Sequence, residues 1–87
     1  MISKNKRDDI EIMAQMLSLA LKETKKTHIM YKTNLCYNQL VSYMDFLIEK
    51  GFLGVKNGGK GNLYLITDKG KEFLENIQNV ITQARSK

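Results

Sequence analysis

The chain has 87 residues, with 14 lysines and arginines against 9 acidic residues, a formal net charge of +5 and one cysteine. One small domain is expected at this length, and a single cysteine excludes an intrachain disulfide, which leaves oligomerisation as a source of additional burial. No apolar run approaches the ~20 residues of a membrane span and the N-terminus lacks an apolar signal core, so we expect a cytoplasmic protein without a membrane partner.

A first helix is predicted from Asp8 or Asp9 to about Glu23, after a polar and flexible tail of residues 1–6. Apolar residues recur in it at the spacing of a helix that buries one wide stripe. The predicted inward stripe consists of Ile10, Met13, Leu17, Ala20 and Leu21, with Ile12 and Met16 at its flank.

A short second helix is predicted over residues 28–32, with Thr27 as its N-cap. Thr33 and Asn34 then form a turn, and Leu35 is the apolar residue that attaches this turn to the core. A third helix follows closely, so the arrangement predicts a helix-turn-helix.

The third helix is predicted from Tyr37 to Lys50. Gly51 follows it, at the position where a helix end favours the positive φ that glycine adopts readily. Apolar residues at helical spacing are expected to face the core, and they are Leu40, Tyr43 or Met44, Leu47 and Ile48.

Two short apolar runs, at residues 52–56 and 63–67, predict a hairpin of two strands. Its tip, residues 57–62, contains three glycines and is longer than a tight two-residue turn. Thr67 is expected to cap a last helix over residues 68–84.

This order of elements, ααα-ββ-α, defines the predicted fold. It is α+β and mostly α: a winged helix-turn-helix with an additional C-terminal helix. We assign residues 7–67 to the winged-helix domain and residues 68–87 to the C-terminal helix.

Three segments carry a resemblance to a known family: KKTHIMYKTNL, YNQLVSYMDFLIEKGFL and LYLITDKGKEFLE, which together extend from Lys25 to Glu75. In this order they resemble the small winged-helix DNA-binding proteins and transcription regulators of archaea and their viruses. The resemblance implies a homodimer on double-stranded DNA, with the third helix in the major groove, the wing on the phosphate backbone and the last helix in dimerisation.

The outward side of the third helix is polar near its N-terminal half, where recognition helices reach base edges. Asn and Gln can bond adenine in two places, and no Arg or Lys precedes Lys50 to read guanine, so we expect weak or shape-based specificity. In an isolated helix this side would be a solvated face, but the order of elements favours DNA contact. The predicted contact residues are Tyr37, Asn38, Gln39 and Ser42.

The predicted wing contains Lys56 and Lys60 and no acidic residue. Glycines allow backbone N–H groups to approach phosphates, and the lysines supply charge. The alternative is a hairpin without a partner, in which lysine prevents a strand edge from pairing with another chain. The resemblance favours phosphate contact. Further phosphate contacts are expected around the second helix, from Thr27, His28 and Lys32.

The last helix carries a second apolar stripe whose distal part extends past the domain and requires another cover. A second copy of the chain is the simplest candidate, with a monomer as the alternative. The predicted dimer residues are Phe73, Ile77, Val80, Ile81 and Ala84, together with Met13 of the first helix.

Other classes of function have weaker support. The sequence has no Cys/His dyad, no Ser-His-Asp set and no phosphate-loop motif, so we expect no enzymatic activity, cofactor, metal or small-molecule substrate. One alternative to a sequence-preferring regulator is a winged-helix protein–protein interaction module, which Asp45 and Glu49 would suit because they oppose phosphate binding. The other is a low-specificity architectural DNA-binding protein.

Overall fold

The computed structural model describes residues 9–59 and 61–85, with side chains described up to residue 80. It contains four helices and a three-stranded sheet, which confirms the predicted fold class with one additional short strand. The predicted tail of residues 1–6 lies outside the described residues. No helix in the described part is long and apolar enough to cross a lipid bilayer. The elements are α1 (Asp9–Leu19), β1 (Thr24–Lys25), α2 (Lys26–Thr33), α3 (Tyr37–Glu49), β2 (Leu53–Asn57), β3 (Asn62–Ile66) and α4 (Asp68–Arg85).

The strands form an antiparallel sheet in the order β1-β3-β2. Leu63 of β3 lies opposite Lys25 of β1 on one side and opposite Lys56 of β2 on the other. Directly opposed residues share a face of the sheet, and here both lysines are exposed and the leucine is half-buried. Lys25, Leu63 and Lys56 therefore form a row on the outer face, which we call the outer row.

α1 ends at Leu19 instead of near Glu23 because the chain leaves the helix to join the sheet. The carbonyl of Ala20 accepts a hydrogen bond of 2.8 Å from the N–H of Ile66 in β3, and Thr24 already pairs with β3. The last carbonyls of a helix have no partner within it, and a strand satisfies one of them here.

The buried stripe of α1 is displaced from the predicted one. Ile12, Met16 and Leu17 are buried, whereas Ile10 and Leu21, both predicted to face inward, are 45% and 51% exposed. α1 packs against both α2 and α4, so these two neighbours select which side of the helix is buried. Leu21 also lies past the helix end, where helical periodicity no longer sets its direction.

The helix-turn-helix forms as predicted except at the bounds of α2, which begins at Lys26 and includes Thr33, a buried residue predicted to lie in the turn. Lys25, in an extended conformation, is the N-cap, and Thr27 is an exposed residue of the first turn. The predicted cap at Thr27 is wrong because β1 leads directly into the helix. Asn34 ends α2 in the left-handed conformation with φ 61°, and Leu35 is buried under the turn.

Gly51 closes α3 as predicted, with φ 82°. The N–H groups of Gly51 and Phe52 donate to the carbonyls of Ile48 and Leu47 at 3.0 and 2.9 Å, the pattern of a Schellman motif. Ile48, which was predicted to face inward, is 36% exposed, because it lies about 100° around the helix from Leu47. The inward residues that the structure confirms are Leu40, Met44 and Leu47.

Thr67 caps α4 as predicted. Its Oγ1 accepts a hydrogen bond of 2.9 Å from the N–H of Gly70 and donates one of 2.6 Å to the carbonyl of Gly51. A Cβ atom on Gly70 would lie 2.0 Å from the carbonyl oxygen of Phe52. The start of α4 is therefore fixed closely against the segment that joins α3 to β2.

Candidate nucleic-acid interface

The first half of α3 presents the polar side that the sequence predicted. Asn38, Gln39 and Ser42 are exposed, and Tyr37 at the start of the helix is 57% exposed. Leu40 and Met44, on the opposite side, hold the helix in the core. The core packing thus leaves these four side chains accessible to a partner.

Gln39 has a structural task as well. Its Oε1 accepts a hydrogen bond of 3.2 Å from the N–H of Cys36, the residue that precedes α3. The first N–H groups of a helix have no partner within it, so this hydrogen bond helps α3 to begin. Asn38 and Ser42 are therefore the simpler candidates for base contact.

A groove of about 460 Å³ lies between α3 and the start of α1. The hydroxyl of Tyr43 donates a hydrogen bond of 2.6 Å to Oδ1 of Asp9 across it, and Phe46 is exposed at its side. The sequence did not reveal this groove because it joins two helices that are distant along the chain. Its lining residues are Asp9, Met13, Gln39, Ser42, Tyr43 and Phe46.

The second half of α3 has a different character from the first. Asp45 and Glu49 are both exposed, and Lys50 Nζ lies 5.7 Å from the centroid of the Phe46 ring. Two exposed carboxylates disfavour a polyanion at this end. The neutral first half of α3 is thus the part of the helix that suits a nucleic acid.

The N-terminus of α2 lies beside the N-terminus of α3. Lys26 Nζ is 5.6 Å from the centroid of the Tyr37 ring, a distance at which a cation and an aromatic face attract each other. Thr27 and His28, in the same turn as Lys26, are exposed. Lys26 therefore lies at this helix N-terminus together with the predicted phosphate-binding residues Thr27 and His28.

Lys32 lies apart from Thr27 and His28. It is exposed in the last turn of α2, and its carbonyl accepts a hydrogen bond of 3.1 Å from Nε2 of Gln15 in α1. The helix dipole favours anions at the N-terminus of α2 and not at this end. Of the three predicted α2 residues, only Thr27 and His28 therefore lie at the N-terminus of α2.

The hairpin itself contains no acidic residue, as predicted, but an acidic residue from outside it pairs with one of its lysines. Lys56 forms an ion pair with Glu23, which directly precedes β1. Because β3 lies between β1 and β2, this pair spans the outer face of the sheet above β3. Sequence reasoning missed it since the two residues are far apart in the chain.

The tip of the wing is shaped by its glycines. Gly59 and Gly61 have φ values of 86° and 126°, which favour glycine. The N–H of Gly59 donates a hydrogen bond of 3.0 Å to Oδ1 of Asn57. Lys60, the other predicted wing contact, lies outside the described residues.

The predicted dimer residues divide into two groups. Ile77 is 5% exposed within its own chain, and Phe73 stacks on Phe52 with ring centroids 4.0 Å apart. α4 packs along α1, where Met13 is half-buried. Ile77 is therefore not available to a second copy, which corrects its predicted role in the dimer. The first half of α4 belongs to the winged-helix core.

The second group is the distal part of α4. Val80 is 57% exposed. The side chains of Ile81 and Ala84 lie outside those described. An apolar residue exposed one turn past the buried Ile77 is consistent with the predicted dimer surface.

The sequence matches the winged helix-turn-helix family model over residues 6–85. This range includes nearly the whole chain, so the protein belongs to that family. The fold is that of winged-helix DNA-binding proteins, and the resemblance seen in the sequence is confirmed.

Two related proteins come from Methanocaldococcus jannaschii, and both are uncharacterized. MJ0290 is 37% identical over 76 residues, which are 86% of this chain and 34% of that protein. MJ0287 is 32% identical over 83 residues, which are 94% of this chain and 81% of that protein. The chain thus spans about a third of the first relative and most of the second.

Solved structures of DNA-binding proteins are among those that share the fold. Sso10a-2, a DNA-binding protein from Sulfolobus solfataricus, superposes with a TM-score of 0.84 and 28% sequence identity, over 90% of this chain and 82% of that one. A winged-helix DNA-binding protein from STIV has a TM-score of 0.77 and 17% identity, over 93% and 97% of the two chains. At 17% identity, the second likeness concerns the fold.

Proposed function

We propose that this protein is a transcription regulator that binds double-stranded DNA as a homodimer. The first half of α3 enters the major groove, and the wing contacts the phosphate backbone beside it. The observation that carries this proposal is the exposed neutral polar side of α3, which begins next to the basic N-terminus of α2. The similarity to Sso10a-2, itself a DNA-binding protein, supports the same function.

Base contact is assigned to Asn38, Gln39 and Ser42. Their side chains donate and accept hydrogen bonds, as adenine edges and phosphates require. Because α3 contains no Arg or Lys, guanine lacks its usual bidentate partner. We therefore propose a preference for A·T-containing sites, strengthened by the shape of the DNA.

Phosphate contact is assigned to the start of α2 and to the wing. Lys26, Thr27 and His28 surround a helix N-terminus, where backbone N–H groups and the helix dipole both favour an anion. Lys56, and Lys60 outside the described residues, supply charge on the wing. Such contacts hold the protein in register on the duplex but carry little sequence information.

Dimerisation is assigned to the distal half of α4. The helix continues to Arg85, past the buried Ile77, a distance of ~12 Å at the rise of an α-helix. Val80 is exposed on this extension. Two-fold pairing there is proposed to place the two α3 helices about one turn of DNA, or ~34 Å, apart.

We propose a binding protein without enzymatic activity that acts in the cytoplasm. A second candidate function is protein–protein interaction through the groove between α1 and α3. The observation that favours it is the exposed Phe46 beside Met13 and the Tyr43–Asp9 pair. A low-specificity architectural DNA-binding role uses the same surface as the main proposal and differs from it in sequence preference.

Titration against unrelated duplexes at several salt concentrations tests the proposal. Binding that weakens linearly in log[salt] is the expected result. No binding even at low salt would reject both DNA functions and leave the interaction module. The affinity for a duplex selected from random DNA is then compared with the affinity for an unselected duplex. A regulator binds the selected duplex more tightly, whereas an architectural protein binds both equally.

A further inference from the structure

We infer that the outer face of the wing sheet contains a phosphate site that Glu23 occupies in the free protein. The inference rests on the proposed DNA binding and adds an internal competitor to it. The lysines of the outer row, Lys25 and Lys56, provide the positive charge. Glu23 holds Lys56 as an ion pair and must release it before Lys56 can contact DNA.

The position of the charges is the first argument. Lys25 and Lys56 lie on the same face of the sheet, on either side of Leu63. Both are exposed, so the face displays two cations across three strands. A phosphate group above Leu63 would be approached from both sides.

The second argument concerns the neighbouring α2 residues. Thr27, His28 and Tyr31 share a shallow depression with Lys25 and Leu63. Thr27 and His28 are the residues to which phosphate contact is already assigned. The outer row and the start of α2 therefore form one continuous surface, which extends from the wing to the helix-turn-helix.

The third argument is the sign of the remaining charge. Among the described residues that line this depression, Glu23 carries the only carboxylate. Its side chain is 39% exposed and that of Lys56 is 61% exposed. Exposed ion pairs are weak and screened by salt, so a DNA phosphate with its denser charge can replace the glutamate.

Substitution of Glu23 by glutamine has two consequences for DNA binding. Lys56 is released for the phosphate, and a negative charge that repels the phosphate disappears. The interaction energy of two unit charges ~4 Å apart in water corresponds to about a five-fold change in affinity. We therefore expect Glu23→Gln to tighten binding about three- to five-fold at low salt, with a smaller difference as salt rises.

Fluorescence anisotropy with one labelled duplex provides the test, on wild type, Glu23→Gln, Lys56→Ala, the double variant and Glu75→Gln. Glu75 is exposed on α4, so its substitution makes the same change in net charge away from the sheet. We expect a smaller gain for Glu75→Gln than for Glu23→Gln. We also expect the Glu23→Gln gain to shrink when Lys56 is already alanine.

The outcomes separate this inference from the proposed function. If the wild type binds the duplex and Glu23→Gln binds it no more tightly, the inference is overturned and DNA binding stands. Equal gains for Glu23→Gln and Glu75→Gln also overturn it, because a general charge effect then suffices. If no variant binds at any salt concentration, both proposals are rejected.

Discussion

Lys26 and Tyr37 are the first residues of two helices and lie side by side, with Nζ of the lysine 5.6 Å from the centroid of the tyrosine ring. Lys26 begins α2 and Tyr37 begins α3. Both helices therefore present their first turns at one edge of the molecule, where their dipoles favour an anion. The proposed base-reading residues follow within the next two turns of α3.

Removal of the Lys26 charge should weaken binding to all duplexes alike. In Lys26→Met the apolar stem can still cover Tyr37, but one phosphate contact is lost. We expect the slope of log affinity against log[salt] to become shallower by about 0.9. A salt titration of wild type and variant on two unrelated duplexes measures this, and an unchanged slope would remove Lys26 from the interface.

Asn38→Ala should change sequence preference rather than general affinity. A bidentate contact with adenine contributes roughly 1–3 kcal/mol of discrimination against another base. Selection of bound sequences from random DNA should therefore show lost preference at one position. Gln39→Ala is a less direct test because it also removes the hydrogen bond to the Cys36 N–H. Identical selected sequences for Asn38→Ala and wild type would refute the base contact.

Gly70→Ala should destabilise the fold strongly. The new Cβ would lie 2.0 Å from the carbonyl oxygen of Phe52, and backbone must move to relieve that contact. We expect a loss of about 3 kcal/mol or more in the free energy of unfolding. Gly54→Ala is the matched control, since its Cβ would meet only ordinary contacts at 3.5 Å and beyond. Equal urea denaturation midpoints for the two variants would contradict the close packing of α4 on Phe52.

Thr67→Ala should remove both the cap of α4 and the bond to Gly51. A lost N-cap costs about 0.5–2 kcal/mol. Thr67→Ser keeps the hydroxyl and should retain most of the stability. Thermal unfolding of the three proteins gives the comparison, and a serine variant as unstable as the alanine variant would assign the effect to packing of the threonine methyl.

Val80→Asp should shift the protein from dimer to monomer. Val80 is exposed within its own chain, so a charge there leaves the core intact but opposes an apolar contact with a second copy. Asn79→Asp, at an exposed neighbour on the same helix, is the control for added charge. Sedimentation equilibrium measures the mass, and a monomeric wild type would reject dimerisation through this surface.

Much of this fold is predictable from short-range chemistry. The bounds of α3, the positive φ of Gly51 and the cap at Thr67 each follow from residues within a few positions of one another. Element order and the exposed side of α3 then follow from apolar spacing.

The parts that sequence did not predict depend on long-range contacts. β1 has two residues, too few to show alternation, and exists because Lys25 pairs with Leu63. The same pairing displaced the start of α2 from Thr27. The Glu23–Lys56 ion pair likewise forms only after the sheet has brought β1 and β2 together around β3.

Backbone amide shifts of isotope-labelled protein during titration with a short duplex test the central claim most directly. That claim is that the start of α2, the first half of α3 and the outer face of the wing together bind DNA. We predict the largest shifts from Lys26 to His28, from Asn38 to Ser42 and around Lys56. Shifts confined to the exposed side of α4, or none at saturating duplex, would contradict it.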